Sequence, residues 1–304
     1  MTTKGSEMID ALNTELDDLS EPSVNKKIKT SKNPNTTSFE PSCDSFELTT
    51  SNTKIFAHLF TFMAVKSDIG RLHFSPRGLY VSAAYHHETT FIATQLACEM
   101  LSKLNCNQET SINLNLDTFA KKFAMLNSFH VESITFKNDS EGNLQLLGTA
   151  TDHSQKAAVT FGGLNDEVMD TEALNELTYD MAIKLSSKEF SRRVEHMPAV
   201  FSIAMDVHNA CLVFSGKDSN SSTELRLYLS QSVMDTVKKF PRVCDYNQLF
   251  GKYNMVDLTK AATLSDDVAM SFGDHDSPLH LVYNLDTKST VSVYVMPKCS
   301  DDEL

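Results

Sequence analysis

The sequence predicts an α+β fold made by repeating one supersecondary unit four times. Three observations carry this. A strand-like segment runs into a helix of one to three turns, then into strands separated by a turn. That order recurs from about Phe46, Ser111, Asp180 and Asn247. Within each copy the apolar spacing suits first a helix and then half-buried strands. The repeat is broken once, by the acidic, glycine-led stretch Gly162–Glu172, which reads as a linker between two pairs of units.

Residues 1–44 are polar, with few large apolar side chains, and are expected to form a disordered tail. Its basic cluster, Asn25–Lys32, reads either as a nuclear import signal or as a solvated charge run. The expected N-terminal domain covers 45–162, the linker 163–177, the C-terminal domain 178–298 and an acidic tail 299–304. In the first helix Ile55, Leu59 and Phe62 make one apolar stripe at i, i+4 and i+7. Phe119, Phe123 and Leu126 repeat it in the second copy, and Phe190, Val194 and Met197 in the third. The fourth offers only Tyr253 and Val256, so that helix is expected to be shorter or distorted. The turns Ser75–Gly78, Asn138–Asn143, Asp206–Asn209 and Gly273–Pro278 use Gly, Pro, Asn and Asp for their special dihedrals. Leu225–Leu229 alternates as a half-buried strand should.

The net charge of −13 argues against nucleic acid if taken as a sum, because phosphate binding is driven by Lys and Arg. Its distribution argues the other way. The four helical segments carry Lys54, Lys66, Lys121, Lys122, Lys188, Arg192, Arg193, Lys252 and Lys260 against four acidic residues. They are therefore net +5, and the remainder is −18. Any one of these cations alone reads as an ordinary wet helix face. Their recurrence on equivalent helices singles out a shared basic face on an otherwise acidic protein.

No constellation for catalysis emerges. The sequence has no phosphate-cradling glycine loop, no H-E-x-x-H and no G-x-S-x-G. His86, His87 and Glu88 are adjacent, so as strand or loop neighbours they point apart and make a poor metal site. The six cysteines form no C-x-x-C pair and fit reduced thiols. The expectation is a protein that is not an enzyme and holds no metal or cofactor. No apolar run approaches the roughly 20 residues of a membrane helix, and no N-terminal segment reads as a signal peptide. The ending Asp301–Leu304 therefore reads as an exposed acidic end rather than an ER-retention address.

From Phe46 onward the chain resembles the sliding clamps of the proliferating cell nuclear antigen (PCNA) family. The resemblance is carried by Leu185–Arg192, by Ile112–Leu114 leading into its helix, by Leu258–Ala261, and by Tyr294–Lys298 before the acidic tail. It implies two similar clamp domains, each of two β-α-β-β-β units, with helices lining a ring and sheets outside. The implied function is that of a DNA polymerase processivity factor. It encircles duplex DNA through sequence-independent phosphate contacts and tethers polymerase and repair proteins. The nine helix cations would face DNA, Arg192 and Lys260 foremost.

The resemblance further implies a pocket for partner peptides at Ala84, Thr89, Leu174, Tyr179, Pro278, Tyr294, Met296 and Pro297. Ala84 and Thr89 stand there in place of larger apolar side chains. It places subunit contacts at strands carrying Val159, Phe161, Leu225 and Leu227. The implied partners are double-stranded DNA, polymerase and other clamp-binding proteins, a clamp loader and further copies in a homotrimeric ring, with no membrane. The implied location is the nucleus or a viral replication compartment. Two alternatives share the fold: a subunit of a heteromeric checkpoint-type clamp, and an interaction scaffold without DNA tethering.

Overall fold

The computed structural model describes residues 46–298 except Lys66, 85–88, Ser140, His153, 166–173, Asn175 and 275–276. The polar tail with its basic cluster, the acidic end, the His86–Glu88 triplet, Lys66 and most of the expected linker lie outside the described residues. The first unit is β1 (Phe46–Thr50), α1 (Thr53–Met63), β2 (Ile69–Ser75), β3 (Gly78–Ala84) and β4 (Thr90–Ala97). A 3-10 turn at Cys98–Met100 and a short β5 (Lys103–Cys106) follow. The second unit is β6 (Thr110–Asn115), α2 (Leu116–Ser128), β7 (Ser133–Asn138), β8 (Leu144–Thr149) and β9 (Gln155–Phe161). The third is β10 (Met181–Ser186), α3 (Ser187–Glu195), β11 (Val200–Asp206), β12 (Cys211–Lys217) and β13 (Ser222–Tyr228). Two short helices, α4 (Gln231–Val237) and α5 (Pro241–Cys244), lead into the fourth unit. That unit is β14 (Asn247–Gly251), α6 (Lys252–Val256) with a 3-10 extension Asp257–Thr263, β15 (Asp267–Phe272), β16 (Leu279–Asn284) and β17 (Thr290–Val295). The β-α-β-β-β order thus recurs four times, as expected from the sequence.

Pairing of these strands follows an internal exchange. In each half the two units swap their first strands. β1 joins the sheet of the second unit, in the order β5-β1-β7-β8-β9. β6 joins that of the first, as β6-β2-β3-β4. The C-terminal half does the same, with β13-β12-β11-β14 and β10-β15-β16-β17. The exchange repeats at the level of single bonds. The first N–H of α2 bonds the carbonyl of Asp68, and the first N–H of α3 bonds that of Asp266, both at 2.9 Å. The halves meet where β17 pairs with β4, from Thr290 opposite Gln95 to Val295 opposite Thr90, so one eight-stranded sheet spans both. Lys288 also pairs with Glu99 across this junction (2.5 Å), and Ala97 donates its N–H to Ser289 Oγ (3.1 Å).

Helix stripes explain the packing. Phe119, Phe123, Leu126, Phe190, Val194 and Met197 are all buried, as their spacing predicts. In α1, Leu59 and Phe62 are buried, but Phe56, Phe60 and Met63 are too. This helix leaves only Lys54, His58 and Thr61 exposed, because it packs on α2, on the Asp257–Thr263 turn and, through Phe56, against Phe136 of β7. Asn115 and Ser186 cap α2 and α3, their side chains accepting the N–H of Thr118 (2.8 Å) and Glu189 (3.5 Å).

The fourth helix is short and passes into 3-10 geometry, as expected, but its stripe differs from the one proposed. Tyr253 is 72% exposed, and Met255, Leu258 and Ala261 turn inward instead. The side chain of Val256 is outside the described residues. Gly78 closes the β2–β3 hairpin at φ +139°, and a Cβ there would meet the carbonyl oxygen of Leu96 at 2.1 Å. Only glycine suits that position.

Candidate DNA-facing helix layer and partner pocket

The helices form one contiguous layer. α2 packs on α1, α1 on the 3-10 turn Asp257–Thr263, and that turn on α3. Their buried faces look toward the sheets, so their exposed residues share the far side of the layer. Lys54, Lys121, Lys122, Lys188, Arg192 and Lys260 are exposed. Lys121 pairs with Asp117 (2.6 Å), Lys188 with Asp266 (3.6 Å) and Lys260 with Asp257 (3.2 Å). The first two are surface pairs in high dielectric, of the kind worth only about 0–1 kcal/mol. Asp257 is largely buried, but the Lys260 ammonium is exposed, so all three cations remain open to a phosphate.

Two proposed DNA-facing cations are placed otherwise. Lys252 is half-buried and donates from Nζ to the carbonyl of Glu195 (2.7 Å), where it caps the C-terminus of α3. Arg193 is turned about 100° around the helix from Arg192. Its guanidinium bonds the carbonyl of Arg226 in β13 (Nη2 3.0 Å, Nε 3.3 Å). Both are therefore occupied inside the chain. Lys66 lies outside the described residues.

The proposed pocket residues converge on the outer face of the eight-stranded sheet. Strand register lines up Ser271, His280, Tyr294, Phe91 and Ala84 as one row across β15, β16, β17, β4 and β3. Phe91, Ala93 and Tyr294 form a small apolar cluster of their own. Tyr80, Ala84, Leu174, Leu177 and Met296 pack against it. The His280 ring stacks on Tyr294 (4.4 Å between centroids, 3° between planes) and lies 5.2 Å from Tyr179. Tyr179 donates its hydroxyl to the carbonyl of Pro278 (3.2 Å), and the Thr89 carbonyl accepts the N–H of Met296 (2.9 Å). Pro297 is half-buried beside Met296.

Sequence reasoning missed Phe91, Ala93, Tyr80, Leu177 and His280. The strand alternation placing Phe91 and His280 on one face was visible, but the register bringing them together was not. A cleft of about 460 Å³ lies elsewhere, on Arg71, Ser111, Ile112, Asn113, Gly142 and Gly163–Asn165, where the linker leaves the sheet. Its lining is polar and it does not open on the aromatic row, so the row is the better candidate for an apolar peptide.

Burial sets the chemistry of this row. It pushes the Tyr294 hydroxyl up to about 12 and the Tyr179 hydroxyl further up still. It also depresses His280 from the usual 6.5 to about 4, and the His280 Nε2 has no hydrogen-bond partner among the described residues. In the unfolded chain this histidine takes its proton near pH ~6.5. Between about pH 6.5 and 4 the unfolded state therefore binds more protons, so stability falls as pH is lowered through that window and is unaffected above it. Lowering the pH from about 7 to 5 should cost about 2 kcal/mol through this group. Urea denaturation of the native chain and of His280→Val measures it. The variant should lose less stability over that interval, and equal losses would mean the imidazole is not held neutral.

The strands proposed for subunit contacts are edges. β9 ends one sheet and β13 another. The four named side chains, however, face inward: Phe161 and Leu227 are buried, and Val159 and Leu225 are half-buried against the core. What the edges offer is backbone, flanked by outward residues such as Ala158, Thr160 and Tyr228. Met125 and Phe129, at the end of α2 next to β9, are exposed apolar side chains. Among the described residues no helix is long and apolar enough to cross a membrane.

Comparison with known proteins gives a consistent answer. Residues 173–298 match the family model of the proliferating cell nuclear antigen C-terminal domain. Proliferating cell nuclear antigen 2 of Drosophila melanogaster is 23% identical over 238 residues, covering 77% of this chain and 90% of the relative. The proliferating cell nuclear antigen of Saccharomyces cerevisiae is 20% identical over 230 residues, covering 74% and 87%. Among solved structures, the proliferating cell nuclear antigen of Entamoeba histolytica superposes with a TM-score of 0.69 at 15% identity, over 84% of this chain and all of that one. The PCNA2–PCNA3 complex of Sulfolobus tokodaii gives 0.67 at 17% identity, over 83% and 99%.

Proposed function

We propose that this divergent PCNA-like sliding clamp closes into a ring with further copies of itself, encircles duplex DNA and tethers DNA polymerase. Its domains would be 45–162 and 178–298, joined by 163–177. The observation that carries the reading is the continuous helix layer. It presents Lys54, Lys121, Lys122, Lys188, Arg192 and Lys260 on a chain whose net charge is −13. Contacts to phosphate alone position a protein without fixing it to a sequence, which permits sliding.

Strand topology supports ring closure. Within the chain the fourth strands of units one and four, β4 and β17, pair at the junction between halves. The fourth strands of units two and three, β9 and β13, each end a sheet. Pairing β13 of one copy with β9 of the next repeats the internal junction between molecules, head to tail, until the ring closes. The exposed Met125 and Phe129 beside β9 would be covered by the same contact.

Polymerase, other clamp-binding proteins and a loader would approach from the sheet side. The aromatic row under Leu174 and Leu177 would take an apolar side chain of a partner segment. The chain would act without chemistry of its own, in the nucleus or a viral replication compartment. Sedimentation of the full chain should give three times the chain mass, and addition to primed DNA should lengthen polymerase runs. A monomer at every concentration, with unchanged run lengths, would sink the reading. A ring formed only with a related chain would instead favour a heteromeric clamp.

A further inference from the structure

The backbone of β13 is not uniformly free. Leu229 donates its N–H to the carbonyl of Ala210 (2.8 Å). From that pair the β12–β13 register runs without a break, Cys211 opposite Tyr228 through Lys217 opposite Ser222. Hydrogen-bonded and non-hydrogen-bonded pairs alternate along an antiparallel ladder. Leu225, Leu227 and Leu229 therefore direct their backbone groups at β12. Glu224, Arg226 and Tyr228 direct theirs out of the sheet, toward any strand that pairs with this edge.

One of those outward groups is already taken. The Arg226 carbonyl accepts two bonds from the Arg193 guanidinium, from Nη2 and Nε, which uses both of its lone pairs. Nη1 of the same guanidinium bonds the Glu189 carbonyl (3.0 Å) and reaches the Glu189 carboxylate (3.5 Å). The Arg193 side chain is only 19% exposed, against 56% for Glu189. It is packed into this position and fills the edge from the helix side.

We propose that Arg193 is an edge guard that regulates ring closure: it caps the Arg226 carbonyl in the free subunit and must swing away before β13 can pair along its length. The inference rests on the ring reading and goes beyond it, by naming the residue that opposes closure. A lone subunit with a capped edge resists indiscriminate strand pairing, which natural sheets commonly avoid by blocking their edges. The partner it fits is β9 of a second copy. That strand offers an edge of matching length, seven residues against seven.

The test is a dilution series of the full chain, native and Arg193→Ala, followed by sedimentation velocity. Release of a charge-assisted hydrogen bond should lower the half-assembly concentration of R193A roughly tenfold. Arg193→Lys, which cannot fork onto one carbonyl, should fall between the two. Thermal melts establish that each variant is folded, and if R193A does not fold, R193K decides on the same criterion. An unchanged or raised half-assembly concentration in a folded variant overturns the edge guard while leaving the ring intact. A native chain that stays monomeric throughout overturns both.

Discussion

Reversing charge at Arg192 and Lys260 together should lower affinity for duplex DNA by about a hundredfold or more near ~0.1 M salt. Arg192 is exposed and its side chain has no ion pair among the described residues. Lys260 is exposed and pairs with the largely buried carboxylate of Asp257. In the proposed ring each reversal would remove a cation from the phosphate backbone and add a repulsion, and every subunit would repeat the change. Salt dependence provides the sharper reading. The slope of log affinity against log salt should flatten by about 0.9 for each phosphate that is no longer neutralised. Arg192→Glu alone should stay within about 0.5 kcal/mol of the native chain, since that side chain is exposed, whereas Lys260→Glu sets a carboxylate beside the largely buried Asp257 and should cost more. Anisotropy of a labelled duplex across a salt series reads both the affinity and its slope, and urea denaturation reads the stability. An unchanged slope in Arg192→Glu/Lys260→Glu would mean that DNA does not meet this face. The same substitutions at Arg193 and Lys252 should act chiefly on stability and assembly, because their donors are committed inside the chain.

Phe60→Ala should destabilise the chain by about 3–5 kcal/mol, the usual cost of emptying a buried phenylalanine site. The Phe60 ring is fully buried. It lies 4.7 Å edge-on from Phe119, 5.2 Å from Phe123 and 6.1 Å from Phe56. Phe136 completes the cluster at 6.5 Å and ties both helices to β7. Emptying this site loosens α1 and α2 at once, and those helices hold Lys54, Lys121 and Lys122. A loss of that size is a large part of the roughly 5–15 kcal/mol that stabilises an ordinary domain. Tyr253→Ala is the control. Tyr253 belongs to the apolar stripe that the sequence offers for the fourth helix, yet it is exposed, so its removal should cost less than about 1 kcal/mol. Urea denaturation of both variants decides. Equal losses would mean that Phe60 is not at the centre of the helix pair.

Phe60 and Tyr253 also show where periodicity stops informing. A three-residue stripe describes a helix with one buried face, and α2 and α3 are such helices. α1 buries a second face against neighbouring helices, so Phe56 and Phe60 lie off the stripe and escape a reading based on it. In the fourth unit the stripe itself misleads. α6 and its 3-10 extension have different periods, and no single spacing fits both. The helices α4 and α5 between units three and four carry no repeat signal, and only the structure reveals them.

The candidate site residues divide in the same manner. Cations recurring on equivalent helices are legible because helix position is a local property. The aromatic row is only half legible. Tyr294 and Ala84 follow from the family resemblance, whereas Phe91 and His280 are brought onto one row through the pairing of Tyr294 with Phe91, far apart in the chain. Arg192 and Arg193 make the distinction within one dipeptide. Composition treats them alike, but one helical step of about 100° sends the first to solvent and the second to the edge of a sheet.

The amino-acid sequence by itself determined the four-unit order and the helix-borne positive charge, since each depends on spacing or composition over a few residues. Only the tertiary structure decided which strands exchange between units, which edges stay open, and which cations are free to meet a phosphate. Those outcomes rest on hydrogen bonds and packing between distant segments, whose partners no local spacing specifies.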